Sequence, residues 1–480
     1  MATVTEKLID EWVAEHKQEM IDELLAWVSH PSVSRADLAA PNAPYGEDCR
    51  KMLDFALAEG ERFGFRTEDY EGYCGAIISG DKKREIGLVA HLDVVPEGEG
   101  WLYAPYDPVI VNGFMIGRGC GDNKGPGVLG LYLLKFFRDN EVPFNSTLRL
   151  MMGCAEETGM ADFKHYVEVL HGPVPEVSLV TDCGFPVCYA QKGGFDAAFL
   201  IPAGANIVDF KAGLVRNSVP DLATVTISGI SAETAKEALE GVPKIEILED
   251  GENIKLLAHG KAGHAAFPDH GEKKNAIVLA ADALTVLQEK TGLDLRGGKF
   301  ISDRFITPFG DGLDIQYEDE GSGELTINAG VIRKDGDMLH LDIDIRYPVT
   351  DDDQVIQTKL EKAALEAGGA LVEVGVSHPF YIDPESPMVS ALMGAYKDIT
   401  GDDSKPYSMG GGTYSRVIPN GISFGPGLAK GAHKADFLPE GHGSAHGLDE
   451  TLSIEDWLTA FKIYALALVK LDAALDGMQL

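Results

Sequence analysis

The sequence is short of cysteine, of positive charge and of long apolar runs, and each shortage removes a class of function. Six cysteines (Cys49, Cys74, Cys120, Cys154, Cys183, Cys188) are spread over 480 residues with no C-x-x-C pair. That pattern argues against a disulfide-stapled scaffold and a four-cysteine structural zinc site, and predicts reduced thiols. Only 41 Lys and Arg stand against 76 Asp and Glu, a formal net charge of −35. Such a surplus repels phosphate backbones and anionic headgroups, so neither nucleic acid nor a membrane surface is expected as a partner. No apolar stretch approaches the ~20 residues of a membrane span, and the opening MATVTEKLIDEW lacks the basic flank and apolar core of a secretory signal. A cytoplasmic location is the expectation.

What is present is ordinary globular material, 45% hydrophobic and long enough for two or three domains. Residues 5 to 28 carry apolar positions at helical spacing (Leu8, Ile9, Trp12, Ile21, Leu24, Leu25, Trp27), and KMLDFALAEGERFG continues the habit. From about residue 75 short apolar runs take over: GAIISG, REIGLVAHLDVV, STLRLMMGCAEE and VSLVTDCGF read as strands buried on both faces, with PGVLGLYLLKFFRDN as a helix among them. This alternation predicts an α/β fold with a mostly parallel sheet flanked by helices. Beyond Lys192 the strands alternate polar and apolar residues, and Asp250-Gly251 and Asp335-Gly336 have the chemistry of hairpin turns. Helical stretches at 232–240, 275–290 and 353–367 complete an α+β segment. We expect a first domain part over residues 1–190, an inserted α+β domain over 191–382, and the second part of the first domain over 383–480.

Metal-capable side chains collect where buried strands run out into loops: His91 and Asp93 after IGLVA, Glu156-Glu157 after LMMGCA, and Asp182 after SLVT. The C-terminal ends of strands in such sheets are where sites assemble. Asp122 lies in the Gly-rich GRGCGDNKGP, and His446 in GSAHGLDE. Carboxylates placed directly after apolar strands are costly to bury unless paired or metal-bound. Two histidines with several carboxylates suit two divalent ions, one carboxylate bridging them.

The segments HLDVVPEGEGW, GRGCGDNKGP, CAEETG, TDCGFPV, GKAGHAAFPDHG and SAHGLDE, in that order, resemble the di-zinc metallopeptidase family of aminoacylases, glutamate-type carboxypeptidases, desuccinylases and dipeptidases. RNSVP, DIRYPV and GGGTYSR look more narrowly like its PepV-type dipeptidase branch. The resemblance implies a zinc-peptidase-like catalytic domain with the insert as a lid. His91 and Asp182 would bind one metal, Glu157 and His446 the other, and Asp122 would bridge them. Asp93 would orient His91, and Glu156 would be the general base. The ions would be zinc, with manganese or cobalt as alternatives.

His264 would donate to the developing oxyanion. Asn217 would bond the substrate near the scissile carbonyl, Arg346 would clamp its free carboxylate, and Gly411, Gly412 and Arg416 would approach its C-terminal end. On pattern alone, Arg346 is first expected in a cross-strand ion pair with the aspartates that share its face, Asp342 and Asp344. Asn123 departs from the family, which usually carries Asp there, and puts the metal preference in question. The reaction implied is hydrolysis of unblocked dipeptides, the alternative being an N-acyl amino-acid deacylase or desuccinylase. A small peptide is the expected partner and a monomer the expected state, with a homodimer as the alternative. Cys120, Cys154 and Cys183, close to the ligands, are expected to be small core fillers.

Overall fold

The computed structural model describes residues 4–265 and 275–477; the side chain of His264 also lies outside the description. The chain divides into two compact units. The first comprises Met1–Tyr189, Ile382–Tyr407 and Thr413–Leu480, the second Ala190–Tyr381 and Ser408–Gly412.

In the first unit the sheet order runs Arg66–Tyr70, Cys74–Ser79, Thr147–Gly153, Glu85–His91, Val177–Val180, Gly421–Phe424 and Val187–Gln191. The four central strands are parallel and the outer pairings antiparallel. The unbroken apolar runs follow from burial on both faces. Leu88, Leu150 and Leu179 enter a core with the helices Glu6–Val28, Lys124–Asp139 and Ile454–Gly477. Their neighbours Val89, Met151 and Val180 enter a smaller one with Phe163, Tyr166 and Tyr414. Each such side chain contributes roughly 1.5–3 kcal/mol by leaving water. Helix ends carry ordinary signals: Thr5 caps the first helix by accepting from the Leu8 N–H, and Ser386, Pro387 and a left-handed Gly401 bound the helix Pro387–Thr400.

The second unit is an eight-stranded antiparallel sheet in the order Ile245–Asp250, Asn253–His259, Leu222–Ile227, Ile207–Ala212, Thr326–Asp335, Met338–Tyr347, Gly193–Pro202 and Ala370–Ser377. Both expected hairpins form, joining Asp250 to Asn253 and Asp335 to Met338. Leu339, Leu341, Ile343 and Ile345 are fully buried against helices such as Ala276–Thr291 and Asp353–Glu366, while the alternate residues of that strand face the other side. The helix Arg296–Arg304 was not expected, since Gly297-Gly298 disfavours helix. Its glycines pay a packing role: a Cβ on Gly297 would lie 2.6 Å from Leu339, and one on Gly298 2.6 Å from Leu284. The fold is thus α/β, with a mixed sheet whose four central strands are parallel, and an inserted α+β unit.

Candidate active site

Because Glu85–His91, Thr147–Gly153 and Val177–Val180 are parallel neighbours, their C-terminal ends open on one edge of the sheet. That edge carries His91, then Glu156 and Glu157 just past the second strand, and Asp182 just past the third. Asp122 arrives on the loop ahead of the helix Lys124–Asp139, and His446 on the loop before Asp449 and Glu450. His91 at a strand end and His446 on a loop, 355 positions apart in the chain, meet on the one carboxylate of Asp122.

The Asp122 carboxylate stands between the two imidazoles. His91 Nε2 is 3.0 Å from Asp122 Oδ1 and 3.9 Å from Asp182 Oδ1. His446 Nε2 is 3.1 Å from Asp122 Oδ2 and 2.9 Å from Glu157 Oε1. Each oxygen of one carboxylate therefore faces a different donor pair. His91, Glu156 and Asp182 converge with one donor atom each within 4.8 Å of one another, as do His91, Asp122 and Glu157.

The electrostatics are unbalanced. Five carboxylates (Asp93, Asp122, Glu156, Glu157, Asp182) crowd two histidines, and among the described residues no Lys or Arg pairs with any of them. Burial, then the charges of Asp122 and other neighbours, pushes Asp182 up to about 7. Burial and the charge of Asp182 raise Glu156 well above the usual range. His446 is pushed up to about 10 by its bonds to Asp122 and Glu157. A site with this surplus of anionic oxygen and imidazole nitrogen, lacking fixed cations, fits divalent ions.

Asp93 supports both halves. Its main-chain oxygen lies 2.9 Å from His91 Nδ1 and its carboxylate 3.4 Å, while the carboxylate accepts the Glu156 and Glu157 N–H groups at 3.1 Å each. The main-chain oxygen is thus the nearer partner of the ring, and the carboxylate holds the glutamate turn. Asn123 accepts from the His91 N–H at 3.3 Å and donates its amide to Thr181 O at 2.8 Å and to Asp182 Oδ1 at 3.2 Å. An Asp there would offer Asp182 a negative charge in place of a donor. The Asp122–Asn123 peptide is cis.

Asp162 and Tyr414 were missed from the sequence. The buried Asp162 accepts from the Cys154 and Ala155 N–H groups at 2.7 and 2.8 Å and from Tyr414 Oη at 2.5 Å, fixing the turn that leads to Glu156. A Cβ on Gly153 would lie 2.0 Å from that hydroxyl, so the strand can end there only on glycine. The usable signal was the GGGTYSR segment, where only the glycines and Arg416 drew attention. Cys120 and Cys154 are buried and Cys183 half-buried; burial raises all three thiols, and none joins either donor set.

The remaining candidates are placed as follows. In the second unit Asn217 and Arg346 line a cavity of about 420 Å³ with Arg216, Arg333, Asp196, Asp342 and Asp344. Arg346 is held by Asp344 through Nε at 2.8 Å and Nη2 at 2.6 Å; the partner is one of the expected aspartates, but the pair runs along the strand Met338–Tyr347 and not across strands. The backbone of His264 pairs with Ser218, next to Asn217; its side chain and residues 266–274 lie outside the described residues. Gly411 and Gly412 belong to the second unit. Arg416 closes a short 3₁₀ turn, Tyr414–Arg416, in the first.

Comparison with known proteins agrees with this architecture. The chain is 34% identical over 478 residues to "Putative dipeptidase YtjP" of Bacillus subtilis strain 168, covering 96% of this chain and 98% of that one. Its fold is similar to human carnosine dipeptidase 1 (TM-score 0.58, 14% identity, 98% and 100% of the two chains). It is equally similar to the di-peptidase Dug1p of Saccharomyces cerevisiae (TM-score 0.58, 14% identity, 98% and 99%). Residues 87–470, most of the chain and all of the carboxylate and histidine cluster, match the model of peptidase family M20/M25/M40, and the chain belongs to that family.

Proposed function

We propose that the chain is a two-metal dipeptidase that hydrolyses unblocked dipeptides into two amino acids. The observation that carries the two-metal part is the Asp122 carboxylate, which turns Oδ1 to His91 and Oδ2 to His446. His91, Asp182 and Asp122 would hold one ion, and His446, Glu157 and Asp122 the other. The dipeptide part is supported by the names of the relatives.

When bound, the two ions would polarise the scissile carbonyl and acidify the attacking water. Glu156 takes the proton of that water and returns it to the leaving amine. Its carboxylate accepts no hydrogen bond among the described residues and sits beside His91 and Asp182, so it is available to move a proton. Asp93 keeps Glu156 and Glu157 on one turn and fixes the His91 ring. His264 would bond the developing oxyanion, and Asn217, Gly411, Gly412 and Arg416 would contact substrate. Arg346 must exchange its fork on Asp344 for the substrate carboxylate if it is to clamp it. Zinc is the expected ion, with manganese or cobalt the alternatives, and the enzyme would work as a cytoplasmic monomer.

The test is amine release from free dipeptides, N-acetyl and N-succinyl amino acids, using metal-stripped protein with zinc, manganese or cobalt restored. Metal-dependent turnover of free dipeptides alone supports the proposal. Turnover confined to acylated substrates would replace it by a deacylase with the same centre. If Arg346 clamps the carboxylate, Arg346→Ala raises KM for free dipeptides and leaves amidated ones unchanged.

A further inference from the structure

Glu450 is 1% exposed, yet it is a carboxylate with four hydrogen-bond donors on it. Its Oε1 accepts the N–H groups of Gly121 at 2.9 Å and Asp122 at 3.0 Å. Its Oε2 accepts the Gly119 N–H at 2.8 Å and Arg118 Nη1 at 2.9 Å. Arg118, equally buried, sends Nη2 to the carbonyl of Gly447 at 2.9 Å and lies over the Trp101 ring, 5.0 Å from its centroid. One ion pair therefore grips the Asp122 backbone with one hand and the residue after His446 with the other.

His446 needs such a grip. Its side chain is 56% exposed, and its backbone sits at φ +60°, a region that L residues adopt only when their surroundings hold them. The His91 side is anchored separately: Asn123 binds the His91 N–H, the Thr181 carbonyl and the Asp182 carboxylate.

We propose that Arg118 and Glu450 are positioning residues for the second metal position, the one formed by Asp122 Oδ2, Glu157 and His446, and that the first position stands largely without them. The inference rests on the two-metal reading above. Partners behind a ligand typically carry about 10–100-fold in metal affinity, and here that effect should fall on one position of two.

The experiment is calorimetric titration of metal-stripped full-length protein with Zn²⁺, repeated with Co²⁺ followed by its visible absorption, for wild type, Glu450→Gln and Arg118→Lys. The Gln amide loses two of four accepted bonds, and Lys keeps the charge but cannot span both partners. The control is Arg149→Lys. Arg149 is also buried and paired, with Glu85 at 2.7 Å, near the start of its strand and away from the metal-capable edge. Wild type should bind two ions. Both test variants should weaken the second step by about 10–100-fold and the first, which shares Asp122 with it, by clearly less, with turnover recovering at raised metal concentration. Arg149→Lys should lower thermal stability and leave both steps unchanged.

Equal weakening of both steps, two unchanged steps, or the same pattern in Arg149→Lys would overturn the proposal. Should Glu450→Gln fail to fold, Arg118→Lys decides alone. Fewer than two ions in the wild type would overturn the two-metal reading itself, and this inference with it, before any variant is compared.

Discussion

Among the described residues two clusters gather histidine and carboxylates at ligand-like spacing, and they differ in the fixed cations around them. In the first unit, His91, Asp122, Glu156, Glu157, Asp182 and His446 converge without an arginine or lysine among the described residues. In the second unit, His340, Asp342 and Glu373 also place donor atoms within 4.8 Å of one another. There, however, Arg216 takes Asp342 at 2.9 Å and Glu373 at 2.5 Å, and Arg333 takes the other Asp342 oxygen at 2.9 Å. Lone pairs spent on guanidinium are not available to a metal. Spacing alone would rank the two clusters together; the charges around them separate a candidate metal centre from a structural ion network.

The largest expected effect lies in the first cluster. Glu156→Gln should lower kcat by on the order of 10³-fold or more while metal content stays at the wild-type level. Loss of metal in that variant would mean that Glu156 is a ligand, and the division of roles would fail. Next comes a paired experiment that could break the comparison itself. Asp122→Asn should weaken uptake of both ions by about 100-fold, since the bridging carboxylate serves both histidines. Asp342→Asn should leave metal uptake untouched and cost about 1–2 kcal/mol of stability, because Arg216 and Arg333 lose a shared anion. Elemental analysis after dialysis and thermal unfolding read the two outcomes, and reduced metal content in Asp342→Asn would erase the distinction drawn here.

Much of this was legible in the sequence, for local reasons. Strands buried on both faces announce themselves as unbroken apolar runs, and Asp250-Gly251 and Asp335-Gly336 mark hairpins through their own backbone preferences. Alternation along MLHLDIDIRYP was enough to put Arg346 beside Asp344. The convergence of His91, Asp122 and His446 came from resemblance and chain order, because no periodicity relates residues so far apart. For the same reason the partners behind them stayed hidden: Arg118 and Glu450 are 332 positions apart, and Asp162 and Tyr414 are separated by 252. The Asn at position 123 looked like a lapse from a pattern until Asp182 was seen at its amide. The helix Arg296–Arg304 was invisible because close packing, not propensity, decides it.

The smallest expected effect sharpens the contrast from within the second unit. The arginines there do not take every carboxylate. Asp196 lines the same cavity, stands opposite Asp344 in strand register, and has no hydrogen-bond donor on its carboxylate among the described residues. Burial, and then the charge of Asp344, raises Asp196 above its ordinary value. A carboxyl raised in the folded state contributes stability that is fully present below the unfolded value of ~3.9 and is lost as pH rises through the folded value. Asp196→Asn removes that loss. The variant should therefore match wild type near pH 3.5 and become the more stable of the two by pH 7, by at most about 1 kcal/mol once solvent screening of a part-exposed group is allowed for. The measurement is chemical denaturation of both proteins across that range. A variant less stable than wild type at pH 7 would show that the Asp196 charge is used by Arg216 or Arg346, and that the ion network of the second unit is complete without any carboxylate to spare.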